Sequence, residues 1–294
     1  MNRGLRLGLG KFTVVAWLLA WTAAWAQDRV QVPSLDKAAG RAVVMPGFWF
    51  AAKVAGSAPA MVLMHGCGGP YNKGVLAERY TTLAARLNAL GVHVLVTDSL
   101  TPRGEKELCT QRNGARRVTQ TQRRRDALGA LQWLAAQPGV DASRLGLLGW
   151  SNGGSTVLAA SNARHAEVAA AQVKPSLLVA FYPGCANELA RGFEAVAPLL
   201  MLVGQLDDWT PAAPCEQLAQ VNSASGASGA SRIQLLVYEG AYHGFDGTAP
   251  VRLRRDVPNG VNPGRGVHVG AEPTARAASA LALQEFLRSE WNLP

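Results

Sequence analysis

Three residue types that together can activate a hydroxyl group occur in the chain in a defined order: Ser151, an aspartate at 207 or 208, and His243. A serine hydroxyl is a weak nucleophile at neutral pH. It needs a histidine to accept its proton and an acid to orient that histidine. Serine, then acid, then histidine is one of the three common chain orders of such a triad. The order indicates nucleophilic catalysis of acyl transfer.

Ser151 lies at the centre of the pentapeptide Gly149-Trp150-Ser151-Asn152-Gly153. The apolar residues 144–148 predict a buried strand before it, and the small residues 154–160 predict a helix after it. A serine at such an elbow projects its Oγ out of a strained turn, and the flanking glycines leave room for the neighbouring strand and helix. Because this short motif also arises by chance, the prediction depends on the elements around it.

Five histidines are candidates for the base. His243 alone follows a predicted strand directly and precedes the last helix, so we prefer it. His65 and His93 precede the serine, and His93 lies within a predicted strand. His165 lies on or just past the helix after the serine and is expected to point away from the site. His268 belongs to an irregular glycine-rich segment.

Two adjacent aspartates compete for the role of the acid. Asp207 lies three residues past Gly204, which ends a predicted strand, and a tight turn there would return its carboxylate towards the histidine. Asp207 is therefore preferred, and Asp208 remains the alternative. Asp98 also follows a predicted strand, but we expect it to be a structural acceptor in its loop.

The oxyanion formed in acyl transfer needs backbone N–H donors held in place. The Asn152 amide follows the nucleophile directly and is one candidate. The other is expected in the loop His65–Gly69, where Cys67 is our first choice and Gly68 the second. A plain glycine-rich turn is the alternative interpretation of this loop.

Apolar segments of strand length alternate with segments of helical periodicity. The predicted strands are 60–64, 92–96, 144–148, 176–182, 198–203 and 233–238, and the predicted helices are 75–90, 119–137 and 273–291. This alternation predicts an α/β fold with a mostly parallel sheet and helices on both faces. Residues 27–40 are expected to be irregular, and 41–52 to form a strand pair interrupted at Pro46-Gly47. We also expect a Gly/Ser loop at 223–231 and a long surface loop at 248–270 near the sheet's carboxyl edge.

The first 26 residues predict a secretory signal peptide, with a basic start, an apolar run at 12–23 and a small-x-small cleavage site at Ala24-Trp25-Ala26. The apolar run is short for a membrane span, and a retained N-terminal anchor is the alternative. Cleavage would leave 27–294, a length that suits one α/β domain. We therefore expect an exported protein, periplasmic or secreted, without a stable membrane span.

The formal net charge of +9 is spread along the chain apart from Arg123-Arg124-Arg125. No nucleic-acid-binding motif accompanies it, so a nucleic-acid partner is not predicted. A basic surface on an exported protein instead favours attraction to anionic substrates or envelope surfaces.

The chain has four cysteines, all after the predicted cleavage site. An even count in an exported chain favours two disulfides. We prefer Cys67 with Cys109 and Cys185 with Cys215, because each pair would join loops at the same end of adjacent strands. Zinc is the rival interpretation, but no Cys-x-x-Cys or His-x-x-x-His spacing supports it.

From about Ala60 to the last helix, the chain resembles the dienelactone hydrolase family of the α/β-hydrolase fold. The resemblance lies in five motifs: HGCGG at 65–69, DSLTPRG at 98–104, GWSNGG at 149–154, GQLDDWTP at 204–211 and YHGF at 242–245. It implies hydrolysis of esters or lactones by a triad of nucleophile, aspartate and histidine, without a metal or other cofactor.

The chain also departs from the family's pattern. Ser151 stands where the namesake enzymes have cysteine, no counterpart is evident for the glutamate that assists their thiol, and those enzymes are usually cytoplasmic. Dienelactone is therefore a poor guess for the substrate. Arg103 lies about one residue from the position where those enzymes hold an arginine against the substrate carboxylate. This makes Arg103 a candidate anion contact, with a solvated loop arginine as the alternative.

Three aromatic residues flank the candidate catalytic positions: Trp150, Trp209 and Tyr242. They could line an aromatic-tolerant pocket, or they could pack in the protein interior. The sequence as a whole predicts an exported serine hydrolase acting on a small carboxylic ester or lactone. A small peptidase of the prolyl-oligopeptidase type and a non-catalytic exported binding protein are the alternatives.

Overall fold

The computed structural model describes Met1 and residues 27–224 and 232–293. The predicted signal peptide, apart from Met1, and most of the predicted Gly/Ser loop at 223–231 lie outside the described residues. No helix among the described residues is both long and apolar enough to cross a membrane.

The described strands are, in chain order, β1 (Gln27–Ala38), β2 (Arg41–Phe50), β3 (Ala58–Met64), β4 (Tyr71–Asn72), β5 (Val75–Leu76), β6 (His93–Thr97), β7 (Val140–Trp150), β8 (Leu177–Phe181), β9 (Leu199–Gly204), β10 (Ile233–Tyr238), β11 (Arg252–Arg254) and β12 (Val267–Val269). The described α-helices are α1 (Glu78–Ala89), α2 (Gln120–Ala135), α3 (Asn152–Ser161), α4 (Ala166–Ala169), α5 (Ala186–Arg191), α6 (Ala213–Ala224) and α7 (Pro273–Trp291). Two 3₁₀ helices, η1 (Thr101–Arg103) and η2 (Asn113–Ala115), lie between β6 and α2.

Eight strands form one sheet in the order β1-β2-β6-β3-β7-β8-β9-β10. The neighbours from β6 to β10 run parallel, whereas β1 pairs with β2, and β2 with β6, in antiparallel fashion. The architecture confirms the predicted mostly parallel α/β sheet. The carboxyl ends of the parallel strands share one edge, so the residues that follow β7, β9 and β10 can meet there.

The central strand β3 shows why the sheet is covered on both faces. All of its residues are buried. Ala60, Val62 and Met64 pack in one cluster with residues of α2, α3 and α6, whereas Met61 and Leu63 pack in a second cluster with residues of α1 and α7. Alternate side chains of a strand point to opposite faces, so a continuous apolar run is what a sheet between two helix layers requires.

The N-terminal part of the described chain differs from the prediction. Residues 27–38 form strand β1, and residues 41–50 form one continuous strand through Pro46-Gly47. The prediction was wrong because β1 is a polar edge strand with few buried residues. Its partner is β2, beginning only three residues later, so pairing along the whole hairpin supplies the order that apolar patterning does not.

Helix α2 lies directly against the backbone of β1 at Gly129. A Cβ built on Gly129 would lie 2.3 Å from the Pro33 carbonyl oxygen and 3.0 Å from the Ser34 Cα. Such a contact is impossible without a shift of helix or strand.

Replacing Gly129 by alanine should therefore lower stability by about 1–3 kcal/mol through overpacking, although alanine is the better helix former by about 1 kcal/mol. Thermal unfolding followed by circular dichroism measures the change. Gly114→Ala is the control, because a Cβ there meets no atom within 4 Å, and its Tm should match that of the parent protein. A Tm raised by Gly129→Ala would contradict this close approach.

Candidate active site

Ser151 lies between the end of β7 and the start of α3, in a backbone conformation that residues other than glycine rarely adopt. Its φ is 54° and its ψ −118°. A Cβ on Gly149 would lie 2.3 Å from the Gly153 carbonyl oxygen, and one on Gly153 would lie 2.0 Å from the Met64 carbonyl oxygen. Both glycines are thus required by backbone contacts. A non-glycine residue in such a region costs about 1–3 kcal/mol, which the packing around the elbow must offset.

A chain of hydrogen bonds joins the three candidate triad residues. His243 Nε2 lies 2.9 Å from Ser151 Oγ, and His243 Nδ1 lies 2.7 Å from Asp207 Oδ2. The histidine and the aspartate are each only 4 % exposed. The structure therefore brings these residues together, with one histidine nitrogen towards a hydroxyl and the other towards a buried carboxylate.

The Asp207 carboxylate is oriented by the turn that follows β9. Its Oδ1 accepts hydrogen bonds from the backbone amides of Trp209 at 2.9 Å and Thr210 at 2.8 Å. The Thr210 hydroxyl lies 3.0 Å from Oδ2. With Oδ1 occupied by the turn, Oδ2 is left to face His243.

Asp208 points elsewhere and contacts a different histidine. Its Oδ1 accepts a hydrogen bond from the His268 amide at 2.8 Å, and its Oδ2 lies 2.7 Å from His268 Nδ1. The Asp208 carbonyl also accepts from the Val261 amide at 2.9 Å. Asp208 thus ties down the segment predicted as a long surface loop, part of which forms the antiparallel pair β11–β12.

The loop after β3 presents the Cys67 amide, one of the two candidate oxyanion donors. The Ser99 amide donates to His65 Nε2 at 3.2 Å, so the proton is on Nδ1, which donates to the Gly66 carbonyl at 2.7 Å. In a trans peptide the carbonyl and the next N–H point in opposite directions. By holding the Gly66 carbonyl, His65 also aims the Cys67 N–H away from itself.

Burial and the nearby Arg123 charge together hold the pKa of His65 well below its usual value. His65 is therefore a neutral, structural histidine. A Cβ on Gly66 would lie 3.8 Å from the Ser151 Cβ, so this loop lies beside the elbow. The second candidate donor, the Asn152 amide, is at the first residue of α3, where the helix dipole also favours negative charge. Neither the Cys67 nor the Asn152 amide donates to a protein acceptor within the described ranges.

Both predicted cysteine pairs are joined in the structure. Cys67 is bonded to Cys109, and Cys185 to Cys215. The first disulfide holds the candidate oxyanion loop, and the Leu108 amide adds a hydrogen bond of 2.7 Å to the Cys67 carbonyl. The side chain and the backbone of Cys67 are therefore both restrained.

Trp150 does not line the cleft, contrary to the prediction. It is 3 % exposed, and its Nε1 donates to Asp246 Oδ2 at 2.9 Å. Tyr182 donates its hydroxyl to Asp246 Oδ1 at 2.7 Å, and its ring centroid lies 4.6 Å from that of His243. Tyr182 also has a φ of 37°. Tyr182 and Asp246 thus support the loop that carries His243. The sequence analysis missed both residues, because neither belongs to a recognisable motif.

Arg103 is not available to a substrate in this structure. Its guanidinium forms ion pairs with Asp36 at 2.9 Å and Asp126 at 2.8 Å, and its side chain is only 7 % exposed. The prediction missed this because Asp36 lies on β1, which was expected to be irregular. Arg103 therefore stabilises the contact between β1 and α2.

A cleft of about 740 Å³ opens over Ser151. Trp209 lines it, as predicted, and its ring centroid lies 4.7 Å from that of His243. Tyr242 is not among the lining residues and packs against His268. Arg116 lines the cleft as well, and its Nε is buried without a hydrogen-bond partner in the described part of the chain. Arg116 lies in a loop without periodicity, so nothing in the sequence singled it out.

The remaining histidines have other partners. His93 accepts a hydrogen bond from the Ala52 amide at 2.9 Å, and burial lowers its pKa. His165 pairs with Glu188 at 3.0 Å. It lines the same cleft as Ser151, although it was expected to point away. Asp98 accepts from two amides of its own loop, as expected. Over the described ranges, no group of three or more His, Cys, Asp or Glu residues is placed to hold a metal ion.

The profile of the dienelactone hydrolase family matches residues 45–288. The chain belongs to the dienelactone hydrolase family. This confirms the predicted α/β-hydrolase fold and makes the protein a hydrolase by family. The comparison with curated proteins gave no significant match.

Several solved structures share the fold at low sequence identity. A dienelactone hydrolase-like promiscuous phosphotriesterase from metagenomic libraries has a TM-score of 0.62 and 20 % identity, covering 92 % of this chain and 100 % of that one. Esterase 2 of Thermogutta terrifontis, phosphoramylated by tabun, has a TM-score of 0.59 and 15 % identity, with 92 % and 97 % covered. A puromycin-hydrolysing peptidase of Mycobacterium tuberculosis has a TM-score of 0.55 and 20 % identity, covering 76 % of this chain but 37 % of its own.

The two adjacent aspartates should respond differently to neutralisation. Asp207→Asn removes the charge that faces His243 and should lower kcat for an activated ester by about 10⁴-fold. Asp208→Asn, the matched control, should leave kcat within about threefold and mainly lower Tm, because it weakens only a partly exposed His268 pair. Steady-state kinetics and thermal melts of both variants decide the assignment. The reverse ranking of kcat would make Asp208 the acid.

Proposed function

We propose that this protein is a serine hydrolase that cleaves a carboxylic ester or lactone through an acyl-enzyme. The observation that carries the proposal is the hydrogen-bond chain from Ser151 Oγ to His243 Nε2 at 2.9 Å and from His243 Nδ1 to Asp207 Oδ2 at 2.7 Å. The position of Ser151 supports the same conclusion, because this residue lies at the turn between β7 and α3 and lines a cleft. Serine takes the place that cysteine has in the namesake enzymes.

In the first half of the reaction, Ser151 Oγ attacks the carbonyl carbon of the substrate while its proton passes to His243 Nε2. The carbonyl oxygen becomes an oxyanion and accepts hydrogen bonds from the Cys67 and Asn152 amides. Asp207 stabilises the imidazolium. When the intermediate collapses, the bond to the alcohol oxygen breaks, His243 protonates that oxygen, and the acyl group remains on Ser151.

In the second half, His243 accepts a proton from a water molecule, whose oxygen attacks the acyl carbon. A second oxyanion forms in the same place, and its collapse releases a carboxylic acid and returns the proton to Ser151 Oγ. A lactone follows the same steps, except that the alcohol and the acid are the two ends of one product.

Two of the compared proteins are connected with organophosphorus compounds. Esterase 2 of Thermogutta terrifontis is phosphoramylated by tabun, and the metagenomic relative is a promiscuous phosphotriesterase. Organophosphorus reagents should therefore be suitable probes of Ser151. The cleft volume and the Trp209 ring beside His243 fit a small substrate with an apolar or aromatic part.

Ser151→Ala should abolish hydrolysis of p-nitrophenyl acetate and labelling by a fluorophosphonate probe, because no other hydroxyl is bonded to His243 Nε2 in the described residues. Tm should not fall, since alanine removes only Oγ. Ser155→Ala is the matched control, because Ser155 also lines the cleft. This variant should still be labelled at Ser151. Full turnover or full labelling of Ser151→Ala would refute the assignment.

The substrate class can be resolved by one screen of short and long acyl esters, aryl esters, lactones and aminoacyl amides. We expect ester or lactone cleavage to exceed amide cleavage. A preference for amides would favour the peptidase alternative, and no turnover together with no fluorophosphonate labelling would favour a binding protein.

We further propose that the mature protein is exported. The two disulfides support this, because such bonds persist mainly in oxidising compartments. The intact mass of protein from an exporting bacterial host should correspond to a chain that begins at Gln27. The mass of the full 294-residue chain would contradict cleavage.

A further inference from the structure

Arg123 is the fourth residue of α2 and is completely buried behind the candidate oxyanion site. Its guanidinium donates to Asn152 Oδ1 at 2.5 Å and to the His65 carbonyl at 2.7 Å. It therefore bridges the residue after the nucleophile and the loop after β3.

Arg123 has no carboxylate partner within ion-pair distance in the described part of the chain, unlike the arginines around it. Arg124 and Arg125 form ion pairs with Glu167. Asp126, which lies about one helical turn after Arg123, forms its ion pair with Arg103 instead. The Arg123 Nε is also buried without a hydrogen bond. Burial lowers the pKa of Arg123 to about 10, which leaves the guanidinium charged at neutral pH. Asp126 and Asp98 attract this charge without contacting it. A buried charge without a directly bonded counter-ion is costly, so its place in the fold needs a reason.

The two contacts of Arg123 reach both candidate oxyanion donors. Arg123 donates to the carbonyl of His65. The ring of His65 in turn holds the Gly66 carbonyl, and the orientation of that peptide sets the direction of the Cys67 N–H. The Asn152 side chain belongs to the residue whose own amide is the other donor. One guanidinium thus sets the relative position of two loops that meet only through the tertiary fold.

We propose that Arg123 is a positioning residue that assembles the oxyanion hole and supplies a fixed positive charge to the tetrahedral intermediate. This inference rests on the proposed acyl-transfer function. In the resting site no carboxylate of the described residues contacts this buried cation directly, and Asp126 and Asp98 attract it only over a longer distance. The oxyanion that forms between the Cys67 and Asn152 amides adds a further negative charge. The attraction on the cation therefore strengthens as the intermediate forms, and such differential stabilisation raises the rate of the chemical step.

The test compares Arg123→Met with Arg123→Lys and with the control Arg125→Met, which removes an equal charge from the same helix at a side chain that contacts Glu167 and Asp36. Each variant is assayed with p-nitrophenyl acetate for kcat and KM. Each is also titrated with an aryl trifluoromethyl ketone, which forms a tetrahedral oxyanion on serine, and with the matching methyl ketone, which binds without forming a stable one.

Arg123→Met should lower kcat by about 100-fold, the usual scale for loss of an oxyanion donor, with KM within about threefold. Affinity for the trifluoromethyl ketone should fall by a similar factor, and affinity for the methyl ketone should not. Arg123→Lys keeps the charge but not the fork of donors, so it should lie between the parent protein and Arg123→Met. Arg125→Met should match the parent protein in all of these quantities.

A folded Arg123→Met protein with parental kcat overturns the inference. Equal weakening of both ketones also overturns it, because that result indicates a damaged cleft. If Arg123→Met does not fold, Asn152→Ala and Arg123→Lys decide in the same assays: a selective loss of trifluoromethyl ketone affinity supports the inference, and parental affinity refutes it. Ester turnover and fluorophosphonate labelling of the parent protein test the proposed function separately. If both are absent, the function and the inference fail together; if both are present, Arg123 alone is judged.

Discussion

The close backbone packing at the Ser151 elbow is the constraint on which the rest of the site depends. The elbow places the Gly153 Cα against the Met64 carbonyl, where a Cβ would lie 2.0 Å from the oxygen. The start of α3 is thereby held against the end of β3. The same contact brings the loop that follows β3 beside Ser151. Ser151 and the candidate oxyanion loop are therefore positioned by one interface between backbones, which few side-chain changes can alter.

The other side of the cleft is organised by two adjacent aspartates with separate partners. Asp207 faces His243, and Asp208 faces His268. The histidine loop and β12 are also joined directly, because the Gly270 amide donates to the His243 carbonyl at 3.0 Å. The long segment after Thr248 consequently supports the loop of His243, and it contributes Asn259, Gly260 and Val261 to the wall of the cleft.

Charge is distributed unevenly among the arginines close to the site. Arg103 and Arg125 both pair with Asp36, and each has a second carboxylate partner, Asp126 or Glu167. The shared Asp36 holds the edge strand β1 against α2 and η1. Such ion pairs position elements and contribute little to chemistry. Arg123 lies on the same helix but faces the sheet, where its partners are a carbonyl and an amide oxygen. Within the tripeptide 123–125, Arg124 and Arg125 thus form ion pairs between elements of the fold, whereas Arg123 is directed towards the candidate site.

The sequence by itself determined the alternation of strands and helices in the parallel part of the sheet, the family, and the residues at the strand ends from which the candidate triad is drawn. Apolar runs and glycine positions carry that information because each reflects a local requirement: burial on both faces of a sheet, or a backbone contact that excludes a Cβ. The bounds of α7 and β10 agree with the prediction for the same reason.

The tertiary structure alone decided which side chains meet. It ordered β1 through pairing with β2, placed Arg103 between Asp36 and Asp126, turned Trp150 towards Asp246, and separated Asp207 from Asp208. The side-chain contacts could not be predicted from the sequence because their partners lie tens of residues away, and β1 could not because its order comes from pairing with β2 and not from an apolar pattern. A charged or aromatic side chain carries no local signal of the partner that it will find. Only the packing of the sheet and its loops brings Arg123 to both halves of the candidate oxyanion site.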